Sequence, residues 1–289
     1  MTEHVLPAGS TARGPVEVDV SPERAGWTWS GLQVVALAAG ESHTIRTEGH
    51  EYLVLPLAGG CTVEVDGQSH ELQGRSTIWG ETTDYLYLPS GVEATITATR
   101  DGRFALPYCV ASEKLEVRYC PADEVSVGIR GAGVMSRQVS NYAIGNPLHT
   151  SRLLVTEVIT PGGNWSSSPP HKHDEDSENE RELEEIYYFE IEPDEHGPGM
   201  AFHATYGTDE RPIDVALRVG NGDVALVPHG YHGPCVAAPG YNLYYLNVMA
   251  GPGDSTWLSV DDPCYGWLRD TWESADADPC LPLDPKEHA

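Results

Sequence analysis

The sequence predicts an all-β protein made of two antiparallel β-barrel or jelly-roll domains, with a short helical segment near the C-terminus. Three observations carry this. Thirty Gly and 22 Pro are spread along 289 residues, a density that suits many turns and few long helices. Between them lie short runs rich in Val, Thr, Tyr and Leu, residue types that fit a pleated, half-buried surface. Those runs fall into two series with a shared layout.

From Leu32 to Val110 the first series reads "LQVVAL", "EYLVLPL", "CTVEVDG", "STIWG", "DYLYLPSG", "ATITAT" and "RFALPYCV", separated by Gly, Asp-Gly and Pro-Ser-Gly turns. This is the signature of an antiparallel meander or sandwich. From Ser151 to Ala250 the second series reads "RLLVTEVI", "EIYYFEI", "GMAFHATYG", "DVALRVGNGDVALVPHG" and "YNLYYLNVMAG". The segments "GETTDYLYLPSGVEATITA" at 80–98 and "GNGDVALVPHGYHGPCVAA" at 220–238 echo one another, each with an apolar strand entering a Pro-x-Gly turn. So wide a period suggests two homologous β domains rather than a solenoid. The expected boundaries are 1–145 for the first domain with its Gly-rich connector, 146–260 for the second, and 261–289 for a tail. Within that tail, "DDPCYGWLRDTWESADADPC" is where the short helix is expected.

The formal charge of -27, from 17 Lys plus Arg against 44 acids, repels polyphosphate and anionic lipid. Nucleic acid and membrane surfaces are therefore excluded as partners. The N-terminus lacks a basic start followed by an apolar run, and no segment approaches the roughly 18 apolar residues of a membrane span, so a cytoplasmic protein is expected. Six scattered cysteines without C-x-x-C spacing are read as free thiols.

The stretch "PPHKHDEDSENERELEEIYYF" at 169–189 holds the candidate site. Side chains at i and i+2 share a face only on extended chain, and Pro169 and Pro170 favour that conformation. His171 and His173 can then converge. The same alternation puts Glu185, Tyr187 and Phe189 on one face and Ile186 and Tyr188 on the other. With His232, which follows the later Pro-x-Gly turn, these residues define a three-His, one-carboxylate metal site inside a barrel. Glu184 is the nearest competitor of Glu185, and the acidic run between His173 and Glu185 reads as a solvated loop. Alternation turns Lys172 away from the metal and toward the surface.

This arrangement resembles the cupin superfamily, and the chain as a whole resembles a bicupin. The general pattern is stretched: seven residues separate Gly163 from His171, eleven separate His173 from Glu185, and His232 arrives one residue early after Gly222, Pro228 and Gly230. The first half has no H-x-H, so it is read as a barrel without metal. More narrowly, "GGNWSSSPPHKHD", "LEEIYYF", "GDVALVPHGYHGP" and "APGYNLYYLNVMAGP" resemble the 5-deoxy-glucuronate isomerase family of inositol catabolism, related to the uronate isomerases of pectin breakdown. "GVMSRQVSNY" looks like a further family segment, and His229 stands where an Arg is expected.

The resemblance implies conversion of 5-deoxy-D-glucuronate to 2-deoxy-5-keto-D-gluconate with one divalent ion per chain, Zn, Mn, Fe or Ni. Three neutral imidazoles and a carboxylate leave such an ion with a net charge of +1, suited to an anionic sugar. Proton transfer between adjacent carbons needs a partner; Tyr187 and Tyr245 are the candidates, with His229 and Tyr231 in the turn beside them. Arg137 and His229 are the candidates for binding the substrate, Arg137 at its far carboxylate, and Trp165 for covering a sugar face. A small-molecule uronate and a second copy of the chain in a homodimer are the expected partners. Two other readings compete: an Fe(II) dioxygenase, which shares the three-His, one-carboxylate shell, and a non-catalytic sugar-binding bicupin, against which the intact ligand set of the second half counts.

Overall fold

The computed structural model describes residues 4–145 and 147–284. Its strands sort into three antiparallel sheets of nine, seven and six strands. The nine-stranded sheet takes every strand from Val16–Val20 to Arg118–Cys120. Its spine, His50–Val65, pairs with Gln68–Arg75, Tyr85–Leu88, Glu93–Ala98 and Gly102–Val110. So long a strand serves both walls of a barrel because it turns a corner, marked by register shifts at Pro56/Ala58 and Gly59/Cys61. Gly59 sits there at φ +86°, and a Cβ on it would lie 2.6 Å from the Gly102 backbone.

In the second half, one sheet runs in the order Val5–Leu6, Val224–Val227, Glu184–Ile191, Leu243–Ala250, Leu154–Thr160, Arg137–Asn141, Ser126–Arg130. The other runs Asp214–Val219, Ala201–Tyr206, Tyr231–Ala237, His171–Lys172, Val260–Asp261, with Trp165–Ser166 also paired to Tyr231–Ala237. Val139, Val158, Tyr187 and Phe189 from the first meet Ala201, Val219 and Cys235 from the second in one buried cluster. The barrel interior is therefore apolar below the site.

Three sequence expectations change here. The stretch "STIWG" is a loop, not a strand, because the Glu81 carboxylate accepts the Ser76 and Thr77 backbone N–H groups and the Ser76 hydroxyl, satisfying them locally. The Gly-rich connector contributes two strands, Ser126–Arg130 and Arg137–Asn141, to the second half. The chain's first strand, Val5–Leu6, likewise pairs with Val224–Val227. The expected helical segment is a 3-10 helix over Gly266–Ser274, and all six cysteines are free.

The two halves share a core. Leu32, Leu53 and Leu55 pack in one cluster with Ile186, Leu246 and Val248, each such side chain contributing about 1.5–3 kcal/mol when fully buried. Polar staples add direction. The buried Glu51 carboxylate accepts from Ser151 N–H, Arg152 N–H and Leu153 N–H at 2.7–2.9 Å and from Tyr87 Oη–H at 2.7 Å. Arg75 of the first half forms a buried, two-point pair with Glu157 of the second.

Candidate metal centre

His171 and His232 are cross-strand partners, and His173 follows on the same extended segment. The His171–Lys172 strand continues from Pro169 and Pro170, as expected from the restriction that proline places on its neighbours. Gly233 allows the close crossing after His232: its φ is +90°, and a Cβ there would come 2.0 Å from Ser167 O. One ligand nitrogen from each of His171, His173 and His232 falls within 4.8 Å of the other two. Glu185 reaches the same spot, with Oε2 2.9 Å from His173 Nε2 and 3.0 Å from His232 Nε2.

The tautomers follow from the partners. His171 Nδ1 faces Pro169 O at 3.3 Å, His173 Nδ1 faces Leu183 O at 3.2 Å, and His232 Nδ1 faces Gly230 O at 3.1 Å. A carbonyl only accepts, so each Nδ1 carries a proton, and a ring with no second proton turns its Nε2 lone pair outward, as metal-binding imidazoles do; His173 Nε2, 2.9 Å from Glu185 Oε2, bonds that carboxylate only when it carries a proton as well. His232 Nε2 is buried without a hydrogen-bond partner among the described residues, since its approach to Glu185 lacks hydrogen-bond alignment. A divalent ion satisfies that orphaned atom, and the donor set of three imidazoles and a carboxylate suits Zn, Mn, Fe or Ni.

Burial, reinforced by His232 and His173, holds the His171 pKa well below that of a free imidazole. Burial opposes charge on His173 as well, but the hydrogen bond and charge of Glu185 outweigh it and its pKa rises. For Glu185, burial pushes the pKa up, yet His232 and His173 together bring it well below the usual carboxylate range. The carboxylate is ionised at neutral pH.

Glu184, the competitor, points the other way. Its carboxylate accepts backbone N–H groups of Thr28, Trp29 and Ser30 at 2.8–3.1 Å. Lys172 does turn from the metal, but not to the surface: its side chain is 12% exposed and its Nζ donates to Asp174 at 2.7 Å and to Glu180 at 2.8 and 3.0 Å. Glu180 is buried, so the acidic run is not wholly solvated. Leu183 N–H donates to His173 O at 2.9 Å, while His173 Nδ1–H donates to Leu183 O. The extra residues between His173 and Glu185 therefore form a loop closed at its base and pinned by Lys172.

A cleft of about 560 Å³, counting space open to solvent, lies over His171 and Glu185, and Arg137, Tyr187 and Tyr245 also line it. Ser167 Oγ lies 3.3 Å from Tyr187 Oη and 3.1 Å from Tyr245 Oη. Ser167 has φ +47°, a conformation costing a non-glycine residue about 1 kcal/mol or more and concentrated at functional sites. Burial pushes both phenol pKa values up, with Glu185 adding to the effect at Tyr187 and Cys235 at Tyr245.

Arg137 is pushed down to about 10 by burial, with Tyr245 opposing and Arg130 and Arg269 adding to the shift. His229 does not line the cleft; it sits beside Arg211 and Asp174. Trp165 is 46% exposed and lines a separate apolar groove with Trp267. His203, assigned no role from sequence, is buried against Tyr187 and pushed down to about 3 by burial.

The residues that sequence reasoning missed are Ser167, Asn247, Trp257 and Arg130, all of which line the cleft. Asn247 Nδ2 is buried with no partner among the described residues. Ser167 had one available signal, its place in "SSSPPHKH" beside the histidines; Arg130 and Asn247 come from distant strands and Trp257 from the loop before Val260–Asp261.

A two-barrel β protein with a histidine-rich centre in its second barrel is the class that the fold and site define. The chain belongs to the KduI/IolB family, whose profile matches residues 4–268. It is 38% identical over 274 residues to the 5-deoxy-glucuronate isomerase of Geobacillus kaustophilus strain HTA426, covering 94% of this chain and 97% of that one. It is 37% identical over 253 residues to that of Bacillus subtilis strain 168, covering 86% and 91%. Among solved structures it resembles an IolB-like protein from Salmonella typhimurium LT2, with TM-score 0.84, 33% identity, and 92% and 99% of the chains covered. Oxalate decarboxylase from Lactobacillus farciminis, at TM-score 0.62 and 10% identity over 90% and 89% of the chains, shares the bicupin fold.

Proposed function

We propose that the protein is a metal-dependent aldose–ketose isomerase that converts 5-deoxy-D-glucuronate into 2-deoxy-5-keto-D-gluconate in myo-inositol catabolism. The observation that carries this is the similarity, across 97% of its length, to a relative named 5-deoxy-glucuronate isomerase. In this reading His171, His173, His232 and Glu185 hold one divalent ion. When bound, that ion supplies a Lewis acid for the sugar's carbonyl and adjacent hydroxyl.

The chain's own residues do the rest. Tyr187 and Tyr245 stay neutral because burial raises their pKa, so their phenols donate hydrogen bonds and hold a proton at oxygen beside the reacting carbons. Ser167 Oγ ties the two together. Asn247 offers an amide N–H to a sugar hydroxyl, and Arg137 faces the far carboxylate. The first domain, 1–145, carries no metal; the second, 146–260, carries the site, to which the two connector strands contribute; the tail is 261–289. A homodimer is the expected assembly. Among the described residues no helix is long and apolar enough to cross a membrane.

The test is proton NMR of 5-deoxy-D-glucuronate with the metal-loaded protein in D2O. Conversion under nitrogen, with a new CH2OH signal beside a ketone, is expected. Deuterium in that group marks proton transfer through an enediol. An unchanged spectrum from folded, metal-loaded protein refutes the assignment, and oxygen uptake in its place favours the dioxygenase reading.

A further inference from the structure

Arg130 and Arg137 are direct cross-strand partners on the Ser126–Arg130 and Arg137–Asn141 strands. Both line the cleft over His171 and Glu185, and both line its outer continuation toward Asp261 and Arg269. Like charges facing one another across a ladder destabilise it. A chain with 44 acids and 17 basic residues has ample means to neutralise them, yet among the described residues no carboxylate forms an ion pair with either guanidinium. The third arginine of the same opening, Arg269, is paired with Asp261, with one contact at 2.7 Å.

What surrounds the pair orients it without cancelling its charge. Arg137 donates to Met135 O at 3.1 Å and lies 5.4 Å over the Trp272 ring; Arg130 lies 5.9 Å over Trp257. Aromatic faces and a carbonyl hold a planar guanidinium while leaving its remaining donors for a ligand. The turn between the strands is shaped for this. Gly131 has φ +75°, and a Cβ there would lie 2.2 Å from Met135 O and 2.8 Å from Arg137 Nη1, so both the turn and the arginine's path require glycine. Trp257 closes the gap to the metal centre, its ring 6.2 Å from that of His171.

We propose that Arg130 and Arg137 form an anion clamp for the carboxylate of a sugar acid, placed so that Trp257 walls the sugar between clamp and metal centre. The clamp makes the protein select uronates over neutral sugars, and Arg130 is its solvent-side, specificity-determining half. Two guanidinium forks match the two oxygens of a carboxylate, a geometry that one ammonium does not reproduce. The identity of the sugar acid rests on the isomerase reading; the clamp itself does not.

The experiment compares Arg130→Gln and Arg130→Lys with the wild type, on 5-deoxy-D-glucuronate and on its neutral uronamide. Arg130 is on an exposed outer strand, so the fold and metal content are expected to match the wild type; Arg137→Gln is the second variant. Arg130→Gln is expected to raise KM for the acid about 10- to 100-fold, the loss of a charge-assisted hydrogen bond, while KM for the amide stays within about twofold. Arg130→Lys restores only part of the difference. Equal losses on acid and amide, or a fall in kcat with KM unmoved, overturn the clamp. If the wild type does not isomerise the substrate, tryptophan fluorescence is titrated with D-glucuronate and D-glucose. Binding of the acid alone, lost in Arg130→Gln, supports the clamp while the isomerase reading fails; equal binding of both sugars, or of neither, overturns it.

Discussion

Replacing Lys172 by Met tests whether the residue between two candidate metal ligands acts through the loop that follows. The ammonium sits among Asp174, Glu180 and Glu175 at 2.7, 2.8 and 3.8 Å, and the side chains of Lys172, Asp174 and Glu180 are 12%, 7% and 5% exposed. Removing the cation strands two nearly buried carboxylates side by side. Breaking a buried pair from one side costs about 3–5 kcal/mol. Arg211 at 3.2 Å from Asp174, with the backbone N–H groups of Asp174, Glu175 and Gly230, remains to support them, so the lower end, about 3 kcal/mol, is expected. At about 1.4 kcal/mol per decade, loosening the loop by that amount weakens metal binding up to about 100-fold, and the melting temperature falls by about 6–10 °C.

Chelator competition with Zn2+ reads the first quantity and thermal unfolding of the metal-free protein reads the second. Adding Glu180→Gln to Lys172→Met removes part of the stranded charge and should recover part of both losses. Wild-type affinity and melting temperature in Lys172→Met would refute this role of Lys172. The pH dependence has a definite sign. Asp174 and Glu180 raise the Lys172 pKa against the opposing effect of burial, so the lysine's contribution is lost only as pH climbs past its usual value of 10.5. Burial likewise opposes the lowering of the Asp174 pKa, but Lys172 and the Gly230 N–H outweigh it. The aspartate's contribution is lost as pH drops below the usual 3.8, toward its lowered value. Between these limits the contribution of the Lys172–Asp174 pair is flat with pH.

Glu184→Ala and Glu185→Gln should separate along the strand: the first lowers stability by about 1–3 kcal/mol through three unpaired N–H groups and leaves metal content intact, and the second lowers metal content measured by elemental analysis. Metal loss from Glu184→Ala alone would reverse their assignment. Arg75→Met leaves the buried Glu157, which also accepts from Tyr244 Oη–H at 2.7 Å, without its cation; a loss of about 3–5 kcal/mol in urea unfolding is expected, largely recovered by adding Glu157→Gln. Tyr245→Phe should lower kcat about 100-fold or more, within the range for a positioned proton donor, at unchanged metal content. A full rate in that variant removes Tyr245 from the reaction.

Strand alternation made the centre legible. It placed Glu185, Tyr187 and Phe189 together, and the latter two do line the second barrel's interior while Ile186 and Tyr188 pack in the core shared by both halves. It also separated Glu185 from Glu184. Alternation states only which way a side chain leaves its strand, however, and not what waits there. Alternation alone assigns Lys172 to the surface, because the partner that buries it, Glu180, lies on a loop whose course no period encodes. Arg130 was invisible for a related reason: its significance is a register, Arg130 opposite Arg137, set by a hairpin inside a segment whose glycines read as connector. Trp165 failed in the opposite sense, since proximity in sequence to His171 did not bring it to the cleft.

The first half has a physical task in this architecture. Glu184 and Glu185 are adjacent, so the strand that grips the first half through Thr28, Trp29 and Ser30 also presents the carboxylate to the histidines. Four residues further on, Tyr188 Oη accepts from Arg103 of the first half and donates to Glu190, which Arg103 also binds. The Glu184–Ile191 strand is thus fixed at two points by the half that lies outside the His171, His173 and His232 cluster. A carboxylate in such a centre needs this support more than an imidazole does: each histidine here is oriented by its own Nδ1–H on a local carbonyl, whereas the Glu185 carboxylate meets His173 and His232 themselves, so its backbone must hold it in place. The first barrel supplies that backbone anchor.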